Sequence, residues 1–175
     1  MLSNWNKLLN TDYVVIKVGE HVVYPIFRVG STSLLSATDK KYVNKQISKC
    51  QHIDILIRDP GDRFVSGVNQ YCKINSLDVE ETWELIEQGK LVDRHFVPQY
   101  IWLMHLYKFY KGNVTLLPFK DIKKITNIHT RKTIKRKTPV ALLKSFVEVD
   151  YNLMEHYNET IELGTLIKKY RNVLS

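Results

Sequence analysis

Short β-branched runs alternate along this chain with longer segments of helical apolar spacing. Tyr13 to Val18 and His21 to Phe27 are two strand-like runs separated by Gly19-Glu20, the pattern of a hairpin or strand pair. From Ser31 to Ser48 the positions of Leu34, Leu35, Tyr42, Val43 and Ile47 predict an amphipathic helix. Ile53-Asp54-Ile55-Leu56-Ile57 reads as a buried strand that runs into Arg58-Asp59-Pro60, where Asp59 can cap and Pro60 can take the first helical position. The following helix, over residues 60–74, places Phe64, Val68 and Tyr71 on one face.

Asp78-Val79-Glu80-Glu81 has the acidic first turn of a further helix, which runs to Gln88 and stops at Gly89. Pro98 opens an aromatic helix through Tyr110, ended by Gly112. Its stripe of Tyr100, Trp102, Leu103, Leu106, Tyr107 and Tyr110 reads as packing. Asn113 to Phe119 is another strand, Thr126 to Thr138 a polar, basic and mobile loop, and from Pro139 the spacing is helical in two segments broken near Tyr157-Asn158. Strands alternating with helices predict an α/β fold. One domain over residues 1–175 then holds a mostly parallel central sheet flanked by helices, with its ligand at the strands' carboxyl ends.

Composition narrows the partner. At 44% hydrophobic and 25% charged residues the chain is ordinary globular material, not a disordered one. Lys and Arg number 26 against 18 Asp and Glu, and the net charge of +8 points to an anion: nucleotide, nucleic acid, acidic glycan or membrane surface. Charge alone does not choose among these. Two cysteines, Cys50 and Cys72, make no disulfide scaffold, and a reduced cytoplasmic compartment is the simpler reading. Cys50-x-His52 lacks a second metal-binding half, so no metal is expected. The N-terminus has no signal-peptide pattern, and no apolar run approaches the roughly 18 residues of a membrane span.

Two junctions carry the chemistry. Pro25-x-x-Arg28-Val29-Gly30-Ser31-Thr32-Ser33 leads from a strand through a hydroxyl-rich turn into a helix start, offering backbone N–H groups and hydroxyls to a phosphate or sulfate. Neither G-x-x-x-x-G-K-[ST] nor G-x-G-x-x-G occurs, which disfavours a kinase-like phosphotransferase. The second junction is Arg58-Asp59-Pro60-x-x-Arg63-x-x-Ser66-Gly67, with Ser66 on the same side of its helix as Arg63.

Taken in this order, the two junctions resemble the paired cofactor motifs of the sulfotransferase family, which binds 3′-phosphoadenosine 5′-phosphosulfate (PAPS). Asp93-x-His95-Phe96-x-Pro98-Gln99 is similar to the D-x-H-[WF]-x-P-Q stretch of its carbohydrate-type branch, and the likeness spans residues 22–119. The resemblance implies a P-loop-like sulfotransferase architecture and transfer of a sulfuryl group to a hydroxyl of a small molecule or glycan, with 3′-phosphoadenosine 5′-phosphate as product. It assigns the 5′-phosphosulfate to Arg28, Val29, Gly30, Ser31, Thr32 and Ser33, and the 3′-phosphate to Arg58 and Ser66. His95 becomes the candidate base, with Asp93 behind it, and the competing reading of His95 is a histidine of the helix start or core. Arg63 is either a further ligand or a structural brace.

The chain departs from the family at Arg28, where lysine is commonest. Arginine keeps the charge and adds a fork, but does not readily give up a proton. The run 129–137 holds five Lys or Arg and no acid, and reads either as a solvated loop or as a flap over the cofactor. Two rivals remain: a nucleic-acid-binding protein using the basic charge, which the motifs place second, and a sulfotransferase-like protein that binds cofactor without turnover.

Overall fold

Gly19, at φ +56, turns Val15–Val18 (β1) back on His21–Val23 (β2) as the antiparallel hairpin expected from Gly19-Glu20. This computed structural model describes residues 14–126 and 148–171; Tyr13, the 129–137 run and the segment from Pro139 to residue 147 lie outside them. With Lys40–Tyr42 (β3), His52–Ile57 (β4), Asn113–Pro118 (β5) and Thr160–Glu162 (β6), the hairpin forms one six-stranded sheet in the order β3-β1-β2-β4-β5-β6. Helices Ser31–Ser36 (α1), Pro60–Asn75 (α2), Val79–Glu87 (α3), Gln99–Tyr107 (α4), Ile122–Ile125 (α5) and Leu163–Arg171 (α6) flank it, together with helical residues 148–153.

The α/β class holds, but the sheet is mixed where a mostly parallel one was expected. Only β2–β4 and β4–β5 run parallel; β1–β2, β1–β3 and β5–β6 are antiparallel. Parallel neighbours need long crossovers, which residues 24–51 supply between β2 and β4 and residues 58–112 between β4 and β5.

The helix expected from Ser31 to Ser48 stops at Ser36. The Ala37 N–H reaches back to Ser33 and Leu34, and the Thr38 hydroxyl donates to the Leu34 carbonyl. Asp39 then donates its N–H to Lys17 and accepts the Gly19 N–H on its carboxylate, which pulls the next residues onto β1 as edge strand β3. Exposed Lys40 and Lys41 on that edge discourage pairing with another chain. The C-terminal break near Tyr157-Asn158 is present, at φ +64 for Asn158, but it leads into the unexpected strand β6 before α6.

Capping agrees with the sequence. Asp59 accepts the Asp62 N–H at the start of α2, and Asp78 accepts from Glu80 and Glu81 at the start of α3. α4 ends at Tyr107 rather than Tyr110; Tyr100, Trp102, Leu103, Leu106 and Tyr110 are buried in the core, as a packing stripe should be. Both cysteines are free. No helix among the described residues is long and apolar enough to cross a membrane.

Two ionisable groups sit inside this core. His105 faces the Tyr24 hydroxyl at 3.1 Å and is pushed down to about 4 by burial, aided by Lys108. Asp150 caps α4 by accepting the Gln99 N–H at 2.6 Å and the Tyr100 N–H at 2.8 Å; burial lifts it to about 6 against the lowering effects of Arg63 and these donors. Their linkages have opposite signs. The unfolded chain protonates His105 first, so its contribution is lost as pH falls from about 6.5 to 4. Folded Asp150 protonates first, so its contribution grows as pH falls from about 6 towards 3.8. Relative to wild type, His105→Gln should therefore gain about 1–2 kcal/mol between pH 7 and 5, and Asp150→Asn should lose a similar amount. Urea unfolding of the three proteins at both pH values checks the two signs.

Candidate anion site at the carboxyl ends of β2 and β4

The parallel register of β2 and β4 brings both sequence junctions to one place. Val23 pairs with Asp54, and the Tyr24 N–H still donates to the Asp54 carbonyl at 3.0 Å as the chain leaves β2. A turn follows, closed by the Val29 N–H on the Ile26 carbonyl at 3.2 Å, with Arg28 at φ +64. A left-handed backbone costs a non-glycine residue about 1–2 kcal/mol, so something must hold it. Two guanidinium groups do: Arg63 Nε donates to the Phe27 carbonyl at 3.0 Å, and Arg58 Nη1 donates to the Arg28 carbonyl at 3.2 Å.

Gly30 caps α1 at φ +70 and is constrained twice. A Cβ there would overlap the Ile122 side chain and lie 3.1 Å from Phe119, so the segment after β5 packs directly on this turn. Val29 is buried, leaving only its backbone for a ligand. Ser31 is buried, Ser33 half-buried and Thr32 exposed. With six residues α1 makes fewer than about two turns, and the site's positive potential rests chiefly on its arginines.

Arg28 lies across the start of α2. Its Nε and Nη2 donate to Ser66 Oγ at 3.1 and 2.6 Å, and its Nη1 is 3.5 Å from Gln70 Oε1. Among the described residues no carboxylate stands within ion-pair distance of Arg28, and burial pushes its pKa down. Arg58 is also depressed, first by burial and further by the charge of Arg28, with Asp62 and Asp59 opposing. Its guanidinium lies 5.3 Å from the centre of the Phe119 ring. Arg28, Arg58 and Ser66, assigned from sequence to two ends of one ligand, thus form one cluster.

Arg63 is the brace and not part of that surface. It is 1% exposed, and its Nη1 donates to the Val97 carbonyl at 2.5 Å while Nε holds Phe27.

Asp93 and His95 form a dyad beside the cluster. Asp93 Oδ1 accepts the His95 N–H at 2.8 Å and lies 2.5 Å from His95 Nδ1. Burial works to raise the Asp93 carboxyl, but the His95 ring and N–H, with the charges of His95 and Arg94, leave it below the usual carboxylate value. In the neutral tautomer that gives Nδ1–H to Asp93, Nε2 carries the lone pair. The imidazole lies 5.7 Å from the Phe27 ring, next in sequence to Arg28. From the other side Gly67, next to Ser66, lets the 93–98 loop press onto α2, since a Cβ there would overlap the His95 carbonyl oxygen and come within 3.1 Å of Phe96 Cα.

Gln70 was not singled out from sequence, although it lies one helical turn beyond Ser66 and so shares its face. Asp150 gave no local signal. Comparison of the chain with protein-family models, with curated proteins and with solved structures gives no match in any of the three.

The Gly67 contact is open to test. Gly67→Ala should destabilise the protein by about 1–3 kcal/mol in urea unfolding, because the backbone clash outweighs the roughly 1 kcal/mol gained in helix propensity. A variant as stable as wild type would mean that the 93–98 loop does not sit against α2.

Proposed function

We propose that this chain is a PAPS-dependent sulfotransferase that moves a sulfuryl group onto the hydroxyl of a carbohydrate acceptor. The observation carrying this reading is the meeting of Arg28, Arg58 and Ser66 at the neighbouring carboxyl ends of β2 and β4. A buried Arg58 in the field of a half-buried Arg28, the latter without a carboxylate counter-ion among the described residues, suits a ligand with more than one anionic group. PAPS has such a group at each end.

When bound, PAPS supplies the sulfuryl group and departs as 3′-phosphoadenosine 5′-phosphate. Arg28 grips the 5′ end together with the backbone from Val29 to Ser33 and the hydroxyls of Ser31, Thr32 and Ser33. Arg58 and Ser66 take the 3′-phosphate; Ser66 Oγ accepts from Arg28 and keeps its own O–H as a donor. Arg28 neutralises charge developing on the departing oxygen without handing over a proton. His95 Nε2 receives the acceptor's hydroxyl proton, and Asp93 steadies the imidazolium that forms.

Two measurements test this. At about 100 times its dissociation constant, 3′-phosphoadenosine 5′-phosphate should add about 2.7 kcal/mol to wild-type stability, read as a rise in thermal midpoint, and Arg58→Ala should lose most of it. A wild-type midpoint indifferent to the nucleotide rejects the reading. His95→Ala should lower turnover about 10²–10⁴-fold while nucleotide affinity stays near wild type. Unchanged turnover removes His95 from the chemistry.

A further inference from the structure

At the end of β4 the backbone of Arg58 is completed by a side chain instead of a strand. β2 ends at Val23, in register with Asp54, and β5 ends at Pro118, in register with Ile57, so neither neighbouring strand continues beside Arg58. Buried backbone groups must nevertheless be paired. Gln99, 0% exposed, does this with both ends of its carboxamide: Oε1 accepts the Arg58 N–H at 3.0 Å, and Nε2 donates to the Arg58 carbonyl at 2.9 Å. The carboxamide is itself anchored, because the Gln99 backbone N–H is held by buried Asp150 at 2.6 Å. The chain just before it is held too, by Arg63 on the Val97 carbonyl.

We propose that Gln99 is a positioning residue for the 3′-phosphate, fixing the backbone from which the Arg58 guanidinium reaches its ligand. This rests on the reading of Arg58 given above and extends it to a residue that touches no substrate. A shorter side chain does not span both groups, and an apolar one gives up both bonds to the Arg58 backbone. Because Gln99 acts through Arg58, its effect falls chiefly on ligands that carry a 3′-phosphate, with a smaller share reaching the 5′ end through the Arg58 bond to the Arg28 carbonyl.

The experiment compares the affinities of 3′-phosphoadenosine 5′-phosphate and adenosine 5′-monophosphate in the full chain, by calorimetry, for wild type, Arg58→Ala, Gln99→Met and the double variant. Gln99→Met should weaken the 3′-phosphorylated nucleotide about tenfold, the order lost when a partner that orients a ligating group is removed, and weaken the monophosphate much less. Arg58→Ala should show the same selectivity, and the double variant should lose little more than Arg58→Ala alone. Equal weakening of both nucleotides, or of neither, in Gln99→Met overturns the proposal while a selective Arg58→Ala leaves the parent reading standing. A non-selective Arg58→Ala brings down that reading itself. If Gln99→Met does not fold, Gln99→Glu decides the matter by the same ratio, since it keeps the acceptor for the Arg58 N–H and loses the donor to the carbonyl.

Discussion

The buried guanidinium of Arg63 joins three stretches of chain that are far apart in sequence. It projects from α2, holds the Phe27 carbonyl in the turn after β2 and holds the Val97 carbonyl in the segment before α4. A hydrogen bond from a charged donor of this kind is worth about 1.5–3 kcal/mol. Everything proposed for the site depends on this tie. It fixes the turn that carries Arg28 in its left-handed conformation, and it draws the Asp93–His95 pair to the other flank of Ser66. A carboxylate, Asp150, stands within the electrostatic reach of Arg63, and that same carboxylate caps α4.

The same arrangement explains how Arg28 and Arg58 coexist. Arg58 Nη1 donates to the Arg28 carbonyl, and Arg28 donates to Ser66 and lies near the Gln70 amide oxygen. These neutral acceptors satisfy geometry without cancelling charge. The folded protein thus already meets the energy of partly withdrawing both cations from water. Net charge of +8 raises the encounter rate of any anion.

Elements that carry their own punctuation were legible in the sequence. Asp59-Pro60 marks α2, Asp78 with Glu80 and Glu81 marks α3, Gly89 ends it, and the uninterrupted apolar run of β4 needs no partner to be recognised. β3 and β6 were not legible. Each has three residues, too few for periodicity, and each exists because a distant segment recruits it: Asp39 bonds to β1, and the Asn158 N–H bonds to Leu116 of β5. The site divides the same way. Its motifs gave Arg28, Arg58, Ser66 and His95, but an arginine three residues before Ser66 can face a ligand or the core, and only the fold assigns Arg63 inward. Gln70 and Asp150 act through contacts between elements, which no local spacing announces.

Trp102 lies edge-on to Tyr24, with ring centroids 6.5 Å apart, and against Phe27 at 5.2 Å, so its indole is wedged under the turn that ends in Arg28. The molecule consequently has a native optical reporter beside its candidate anion site. Rearrangement of that turn would alter the surroundings of Trp102, one of three tryptophans in the chain, and with them its ultraviolet emission.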